Sequence, residues 1–337
     1  MKPFIVPVFI PHSGCPHQCA FCNQKAISGQ KSNRISTTQV RKQIERFLAF
    51  PRDAHRTVQI SFYGGNFLGL RRSTMLALLD IAHGFIKQGD AAGIRFSTRP
   101  DTISMESLEL LGAYPVQTVE IGVQSMDDQV LAASRRGHAA NDTEMAVQLL
   151  NTTPYEIGLQ MMIGLPGDTP AAAQMTAHKI AGFAPDFVRV YPALVLKGSP
   201  MAAWYADGKY NPLTLDAAVE QAKGLYLFFQ DQSIPVIRMG LQASDELNSE
   251  NTVLAGPYHP AFGHLVMSSI WLDKASELLD SEKISDQRAV LYVRPENISK
   301  MRGQKNHNIS KLIQRFDLKA IDVKPDETLA SDDMRLG

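Results

Sequence analysis

All three cysteines of this 337-residue chain lie close together near its N-terminus, in the sequence PHSGCPHQCAFCNQ. Cys15, Cys19 and Cys22 are odd in number and closely spaced, which favours a metal site in a reducing compartment over a disulfide framework. Structural zinc normally takes four protein ligands, so a zinc site would need His12 or His17 as the fourth. Three thiolates can instead hold a [4Fe–4S] cluster whose fourth iron stays free to bind a small molecule. The spacing alone leaves both metals open.

The apolar run that precedes the cysteines, Phe4 to Ile10, could also belong to a lipoprotein signal with cleavage at Cys15. The run is short for the core of a signal and contains a proline. Cleavage would also leave Cys19 and Cys22 without a purpose. No apolar stretch approaches the roughly 20 residues that span a bilayer. We therefore expect a cytoplasmic protein with no membrane partner.

Two further motifs carry residue types suited to holding a small ligand. In SFYGGNF, Gly64 and Gly65 would let backbone groups approach a ligand closely, and the Asn66 amide oxygen can accept a hydrogen bond. In VEIGVQSMDDQVLAASRRGH, Gln124 ends an expected strand and Arg136 can bind a carboxylate through paired donors. A glycine pair also marks simple turns, and an arginine can also be a solvated helix charge. Each motif therefore keeps a purely structural alternative.

The chain must position these residues with strands that alternate with helices. Stretches with apolar residues at helical spacing separate six short strand-like runs, so we expect a parallel sheet with right-handed crossovers. The expected strands are Phe4 to Ile10, Thr57 to Tyr63, Ile94 to Ser97, Thr118 to Val123, Glu156 to Ile163 and Phe187 to Val195. The sheet is either doubly wound or a partial barrel, and in both cases the working face lies at the carboxyl ends of the strands. Tyr191 would point towards that face as a substrate contact.

Composition and charge describe an ordinary soluble globular protein. Residues are 44% hydrophobic and 20% charged, and 34 basic residues balance 34 acidic ones, so no global field favours nucleic acid or a membrane. After Pro200 the strand–helix rhythm changes to a helix over 215–229, a strand over 235–239 and shorter elements. We expect a core over residues 1–200, an α+β extension packed on it over 201–330, and a frayed tail over 331–337.

The motifs together resemble the radical S-adenosylmethionine (radical SAM) superfamily. The stretch from Val119 to His138 matches the oxygen-independent coproporphyrinogen dehydrogenase and haem-chaperone branch, and also the radical SAM half of the Elongator catalytic subunit. The segment FSTRPD is closer to the Elongator type, and GLPG at 164–167 matches both groups. Ser97 and Gln160 stand where the porphyrinogen enzymes have acidic residues. The resemblance is most specific over residues 1 to 200 and implies a partial (β/α)6 TIM-like barrel.

This resemblance implies a cofactor site at the carboxyl ends of the strands. Cys15, Cys19 and Cys22 would ligate a [4Fe–4S] cluster, and the free iron would chelate the amino and carboxylate groups of S-adenosylmethionine. The implied contacts to S-adenosylmethionine are Phe21 near the adenine, Gly64 and Gly65 at the amino group, Asn66 where the family usually has Glu or Thr, Gln124 and Arg136. Phe21 keeps the alternative of a core aromatic residue beneath the loop.

The implied function is an oxygen-sensitive enzyme that cleaves S-adenosylmethionine reductively to a 5′-deoxyadenosyl radical, which abstracts hydrogen from a substrate. A flavodoxin or ferredoxin would supply the electron. The Elongator likeness suggests tRNA as a substrate, although the neutral charge does not favour it. The alternative is a carrier or chaperone for haem or another cofactor, which binds cluster and S-adenosylmethionine without turnover.

Overall fold

The computed structural model describes residues 3–10, 14–23, 36–53, 55–242, 245–248, 252–281 and 287–337. The strands, in chain order, are β1 Phe4–Phe9, β2 Val58–Tyr63, β3 Gly93–Thr98, β4 Val116–Gln124, β5 Glu156–Ile163, β6 Phe187–Pro192, β7 Val195–Leu196, β8 Val236–Met239, β9 Val253–Ala255, β10 Arg288–Val293, β11 Ala320–Pro325 and β12 Met334–Leu336. The α-helices are α1 Thr37–Leu48, α2 Arg72–Lys87, α3 Met105–Leu111, α4 Asp128–Ala133, α5 Ala140–Leu150, α6 Pro170–Gly182, α7 Pro200–Ala206, α8 Leu215–Asp231, α9 Asp245–Asn248, α10 Phe262–Ser281, α11 Ile298–Arg302 and α12 His307–Arg315.

A parallel sheet of seven strands, in the order β1-β2-β3-β4-β5-β6-β8, curls into a partial TIM-like barrel. All six neighbouring pairs are parallel, as crossovers through helices require. This confirms the predicted α/β partial barrel with its extension. The six expected strands are present, and the run expected near residues 235–239 joins the same sheet as β8, so the barrel has one strand more than the predicted six.

Alternation along the strands gives the sheet an apolar outer face and a polar inner face. On β2, Ile60 and Phe62 are fully buried in the core beneath the helices. The side chains between them point the other way, into the concave side of the barrel, which we call the lumen. Glu120 on β4 and Arg95 on β3 are buried on the lumen face. Most parallel sheets are apolar on both faces, so this polar inner face is a distinguishing feature.

Side-chain caps begin several of the helices that pack on the barrel. Ser36 accepts a hydrogen bond from the backbone of Gln39 to start α1, and Thr169 accepts one from Ala172 to start α6. Each cap satisfies a backbone N–H that has no partner within the helix. The helices therefore start at fixed residues, which sets the length of the loops at the ends of the strands.

The C-terminal extension shares a helix with the barrel. The core of the barrel includes Val266 on α10, while Trp271 on the same helix belongs to a second core under the sheet β11-β10-β12. The division at residue 200 stays a prediction. The tail over 331–337 was wrongly expected to be frayed: β12 pairs antiparallel with β10, and the Gly337 N–H donates to the Val290 carbonyl over 2.9 Å. The backbone hydrogen bonds to β10 hold this tail in place even though its composition is polar.

None of the helices in the described ranges is long and apolar enough to cross a membrane.

Candidate functional site

The cysteine loop follows β1 and two distant segments anchor its backbone. The Ala20 N–H donates to the Ser134 carbonyl over 2.8 Å, and the Ala20 carbonyl accepts from the Met201 N–H over 2.9 Å. The end of α4 and the start of α7 therefore hold the middle of the loop. Cys19 is buried, Cys15 and Cys22 are half-buried, and all three are free thiols.

The three thiols are candidate metal ligands, but the structure does not place them together around one point. Among the described residues, no three His, Cys, Asp or Glu side chains are placed to hold a metal ion. Thiol ligands must lose protons to bind a metal, so binding of a metal here would be coupled to proton release. Burial raises the pKa of the Cys15 thiol, while the charges of Arg136 and Arg99 act in the opposite direction. His17 lies against Gly137, and His12 lies outside the described residues.

Gly64 and Gly65 lie at the end of β2, beside the end of β1. Gly64 has a φ of +94°, and a Cβ there would lie 3.1 Å from the Ile10 carbonyl oxygen. Glycine is therefore required at residue 64 by both backbone conformation and space. Both glycines are half-buried, and the close approach of their backbone groups to a ligand stays a prediction.

Asn66 is fully buried and forms hydrogen bonds within the protein through both ends of its amide. Its Nδ2 donates to the Gly14 carbonyl over 2.8 Å. Its Oδ1 accepts from the Thr98 hydroxyl at 2.7 Å, the Thr102 hydroxyl at 2.9 Å and the Arg99 N–H at 3.1 Å. Asn66 thus ties the start of the cysteine loop to the end of β3. The sequence motif did not indicate this role, and its direct contact with a cofactor stays a prediction.

Gln124 ends β4 in a strained conformation. Its φ is +70°, unusual for a residue other than glycine, and the register of the sheet shifts between Gly122 and Gln124. Its amide forms two hydrogen bonds with the Gln160 amide, at 3.2 and 2.9 Å. Such strain persists only where the surroundings impose it, and it concentrates at functional sites. Gln160 is therefore hydrogen-bonded directly to a predicted site residue. It is also one of the two residues at which this chain differs from the porphyrinogen enzymes.

Arg136 is buried against the cysteine loop. Its Nη1 lies 3.4 Å from Cys19 Sγ, and its Nη2 donates to the Gly122 carbonyl over 2.7 Å. Its Nε is buried without a hydrogen-bond partner. The structure thus brings together Arg136, the cysteine loop and the end of β4, which excludes the alternative of a solvated helix charge.

Phe21 is half-buried and packs against a small core that includes Ala20, Leu165 and Met201. The alternative of a core aromatic beneath the loop thus has direct support. Its predicted contact with adenine stays a prediction.

Arg99 and His138 belong to this site, although the sequence analysis did not propose them. Arg99 is 2% exposed and binds Asp101 through Nε and Nη2, both at 2.9 Å, which leaves its buried Nη1 without a partner. Neither ring nitrogen of buried His138 has a well-formed hydrogen bond. Burial, followed by the charges of Arg136 and Arg99, lowers its pKa to about 3, so the ring is neutral at pH 7. In the sequence, only two segments could have indicated these residues: STRPD contains Arg99, and RRGH contains His138.

Unpartnered buried donors next to three thiols fit an anionic ligand and a thiolate-bound metal cluster. Buried polar atoms are almost always hydrogen-bonded, so the free Nη1 of Arg99 and the free Nε of Arg136 fit a group that binds between them. Two guanidinium groups and one carboxylate, that of Asp101, leave the site positive before the thiols lose protons. That charge favours an anionic ligand.

The fold and the loop define an α/β partial-barrel protein with its candidate site residues at the carboxyl ends of the strands. The family model of the radical SAM superfamily matches residues 9–180, and that of the radical SAM C-terminal domain matches residues 185–271. This chain belongs to the radical SAM superfamily. The match confirms the resemblance that its motifs indicate.

The relatives include Elongator-type proteins. The tRNA uridine(34) acetyltransferase of Dehalococcoides mccartyi is 25% identical over 230 residues, 59% of this chain and 50% of that protein. Elongator complex protein 3 of Schizosaccharomyces pombe is 31% identical over 147 residues, 42% of this chain and 27% of that protein. The archaeal Elp3 structure from Methanocaldococcus infernus has a TM-score of 0.61 at 20% identity, covers 82% of this chain and 64% of that chain, and shows a shared fold. The matched region spans half or less of these two curated relatives.

Proposed function

We propose that this chain is a radical SAM enzyme in which Cys15, Cys19 and Cys22 hold a [4Fe–4S] cluster. When bound, the cluster and S-adenosylmethionine supply the electron and the 5′-deoxyadenosyl radical that abstracts hydrogen from the substrate. The observation that carries this proposal is the set of buried donors without partners beside the cysteine loop. A reductant such as flavodoxin or ferredoxin would provide the electron.

In this proposal the residues of the chain bind and orient the cofactor. The guanidinium of Arg136 lies beside the buried thiol of Cys19, with 3.4 Å between Nη1 and Sγ, and so orients this ligand. The free nitrogens of Arg136 and Arg99 are charged donors for the carboxylate of S-adenosylmethionine. Gly64 and Gly65 offer backbone groups to its amino group, and Gln124 is held by Gln160 at the edge of the same space. Neutral His138 can donate or accept one further hydrogen bond.

The first substrate to test is tRNA, because the Dehalococcoides mccartyi relative is named as a tRNA uridine(34) acetyltransferase. The chain as a whole has no net charge, so RNA binding would depend on a local patch of basic residues. Co-purified RNA, or its absence, is the simplest test of this substrate.

Anaerobic reconstitution tests the proposed function. We expect four irons and four sulfides per chain, a change in the EPR spectrum when S-adenosylmethionine is added, and 5′-deoxyadenosine under dithionite. Arg136→Lys should lower the affinity for S-adenosylmethionine by roughly tenfold, because lysine cannot reproduce the paired guanidinium geometry. The exposed Arg71 provides the matched control, as Arg71→Lys.

Three outcomes would contradict parts of this proposal. Zinc in place of iron would overturn it entirely. A full cluster in Cys19→Ala would remove the ligand assignment. Cluster and S-adenosylmethionine binding without deoxyadenosine would favour a carrier without turnover.

A further inference from the structure

The lumen of the barrel contains a buried network of charges beneath the cofactor site. Glu120 on β4 accepts hydrogen bonds from Arg95 Nη1 at 3.0 Å, from Arg189 Nη2 at 2.9 Å and from the Tyr63 hydroxyl at 3.3 Å. A second contact joins Arg189 Nε to Glu120 Oε2 at 2.9 Å. The carboxylate of Glu120 therefore lies between two guanidinium groups, and the three residues come from three different strands.

The donors of these two arginines are largely occupied within the network. Arg95 Nε donates to the Gln59 amide oxygen over 2.9 Å, and Arg189 Nη1 donates to the Tyr191 hydroxyl over 3.1 Å. Because the Tyr191 oxygen accepts that bond, its own O–H remains a donor. Tyr191 lies at the end of β6, on the lumen face and nearer to the cysteine loop than Arg189.

Arg238 is the lumen arginine that this network leaves out. It lies on β8 in register with Arg189, so both side chains are on the same face of the sheet. It is half-buried, and within the described ranges no hydrogen bond or ion pair involves its side chain. Arg238 also lines a cleft of about 300 Å³, together with Met239, Gly240, Gln242 and Pro260 among others. This cleft opens at the end of the last barrel strand.

The charge of the lumen is positive after its internal pairs are counted. Arg95, Arg189 and Arg238 face one buried carboxylate, that of Glu120, and the exposed Glu156 adds only a 3.7 Å contact to Arg95 at the amino end of the sheet. A half-buried guanidinium without a protein partner keeps its donors available to a ligand. An oxyanion that binds in the cleft would pair with this charge, whereas a neutral or cationic group would not.

We propose that the cleft beside β8 binds an oxyanion group of the substrate, a carboxylate or a phosphate, through Arg238 as the charged donor. The hydroxyl of Tyr191, which lies on the neighbouring strand β6 and not among the residues that line the cleft, would be a second donor to the same group. This proposal rests on the proposed function, since it takes the cleft to be the place where the reacting molecule binds. It narrows the substrate class to molecules that carry an anionic group.

The test measures the binding of inorganic phosphate and of acetate to the reconstituted full chain. The thermal midpoint is followed as either anion replaces chloride at constant ionic strength, in the wild type, Arg238→Gln, Arg238→Lys, Tyr191→Phe and the control Arg71→Gln. Phosphate stabilises most proteins by a general salt effect. The shift that remains in Arg238→Gln measures that effect.

We expect a saturable shift in the wild type and in Arg71→Gln, with an apparent affinity roughly tenfold lower in Arg238→Gln. Arg238→Lys should keep part of the shift and Tyr191→Phe should weaken it. A response to phosphate alone would assign a phosphate group, and a response to acetate alone a carboxylate.

Equal shifts in the wild type and Arg238→Gln would overturn the anion site. If Arg238→Gln does not fold, equal shifts in the wild type, Arg238→Lys and Tyr191→Phe would overturn it instead. The measurement does not depend on S-adenosylmethionine cleavage. A wild type that makes no deoxyadenosine but keeps the phosphate shift would therefore contradict the proposed function and leave the anion site intact.

Discussion

At the scale of single residues, the site is defined by polar atoms that lack partners. Arg136 uses two nitrogens to hold Cys19 and the Gly122 carbonyl, and keeps its Nε free. Arg99 shows the same pattern, with two nitrogens on Asp101 and one free. Each guanidinium is thus fixed in position by the protein and presents one remaining donor. Rigid donors of this kind lose little entropy when a ligand binds.

His138 should make stability depend on pH. Its pKa is about 3 in the folded protein and about 6.5 when unfolded, so the unfolded state takes up protons first as the pH falls. The stability that this residue contributes is present above pH 6.5 and is lost progressively down to pH 3. Between pH 7 and 5 the wild type should lose about 2 kcal/mol more than His138→Gln. Urea unfolding at both pH values measures the difference.

The exposed His178 is the matched control for this prediction. His178→Gln should keep the pH dependence of the wild type, because His178 is exposed on α6 and is not part of the buried site. If His138→Gln loses as much stability between pH 7 and 5 as the wild type does, the neutral buried form of His138 would be wrong.

At the scale of elements, the cysteine loop depends on segments far from it in sequence. Hydrogen bonds to Ser134 and Met201 fix Ala20, and Asn66 binds Gly14. Thiol ligands on a free loop would lose more entropy on binding a metal than ligands on an anchored one. In the proposed function, the anchors would therefore contribute to cluster binding without contacting the metal.

Asn66→Asp should separate the two roles considered for this residue. An aspartate keeps the acceptor for Thr98 but cannot donate to the Gly14 carbonyl, which would lose its partner and lie near a negative charge. We expect a loss of about 2 kcal/mol in the free energy of unfolding and a lower iron content. Urea unfolding and iron analysis measure both quantities, and Asn141→Asp on an exposed helix surface is the control.

The opposite result would favour the role that the family resemblance implies. If Asn66→Asp keeps its stability and iron content but binds S-adenosylmethionine more weakly, Asn66 contacts the cofactor directly.

The sequence predicted the strands and the cysteine loop because their signals are local. Period-two alternation marks β2 and β4, and the glycine pair of SFYGGNF falls at the end of a strand where Gly64 requires a positive φ. The partners of Asn66 and Glu120 could not be predicted. Their hydrogen bonds join residues 25 to 69 positions apart, so the register of the sheet decides them. Arg238 became interpretable only when β8 was placed beside β6.

At the scale of the whole molecule, α10 connects the barrel to the C-terminal extension. Its first half contributes Phe262 and Val266 to the core of the barrel, and its second half contributes Trp271 and Leu279 to the second core. If either part unfolds, this helix loses a core that holds one of its halves, and the remaining half is left with apolar surface exposed beside it. The two parts should therefore unfold together.

Leu279→Ala tests this coupling. Leu279 is 2% exposed and lies in the second core, so its truncation should cost about 2 to 5 kcal/mol. Because α10 packs in both cores, the loss of stability should also affect the barrel. The urea midpoint of the barrel should therefore fall by the same amount as the urea midpoint of the whole chain. The visible absorbance of a reconstituted cluster reports on the barrel, and far-UV circular dichroism reports on the whole chain. Leu227→Ala, at an exposed leucine of α8, should change neither midpoint. Two separate transitions in Leu279→Ala, with the cluster signal unchanged, would instead show that the extension is an independent domain.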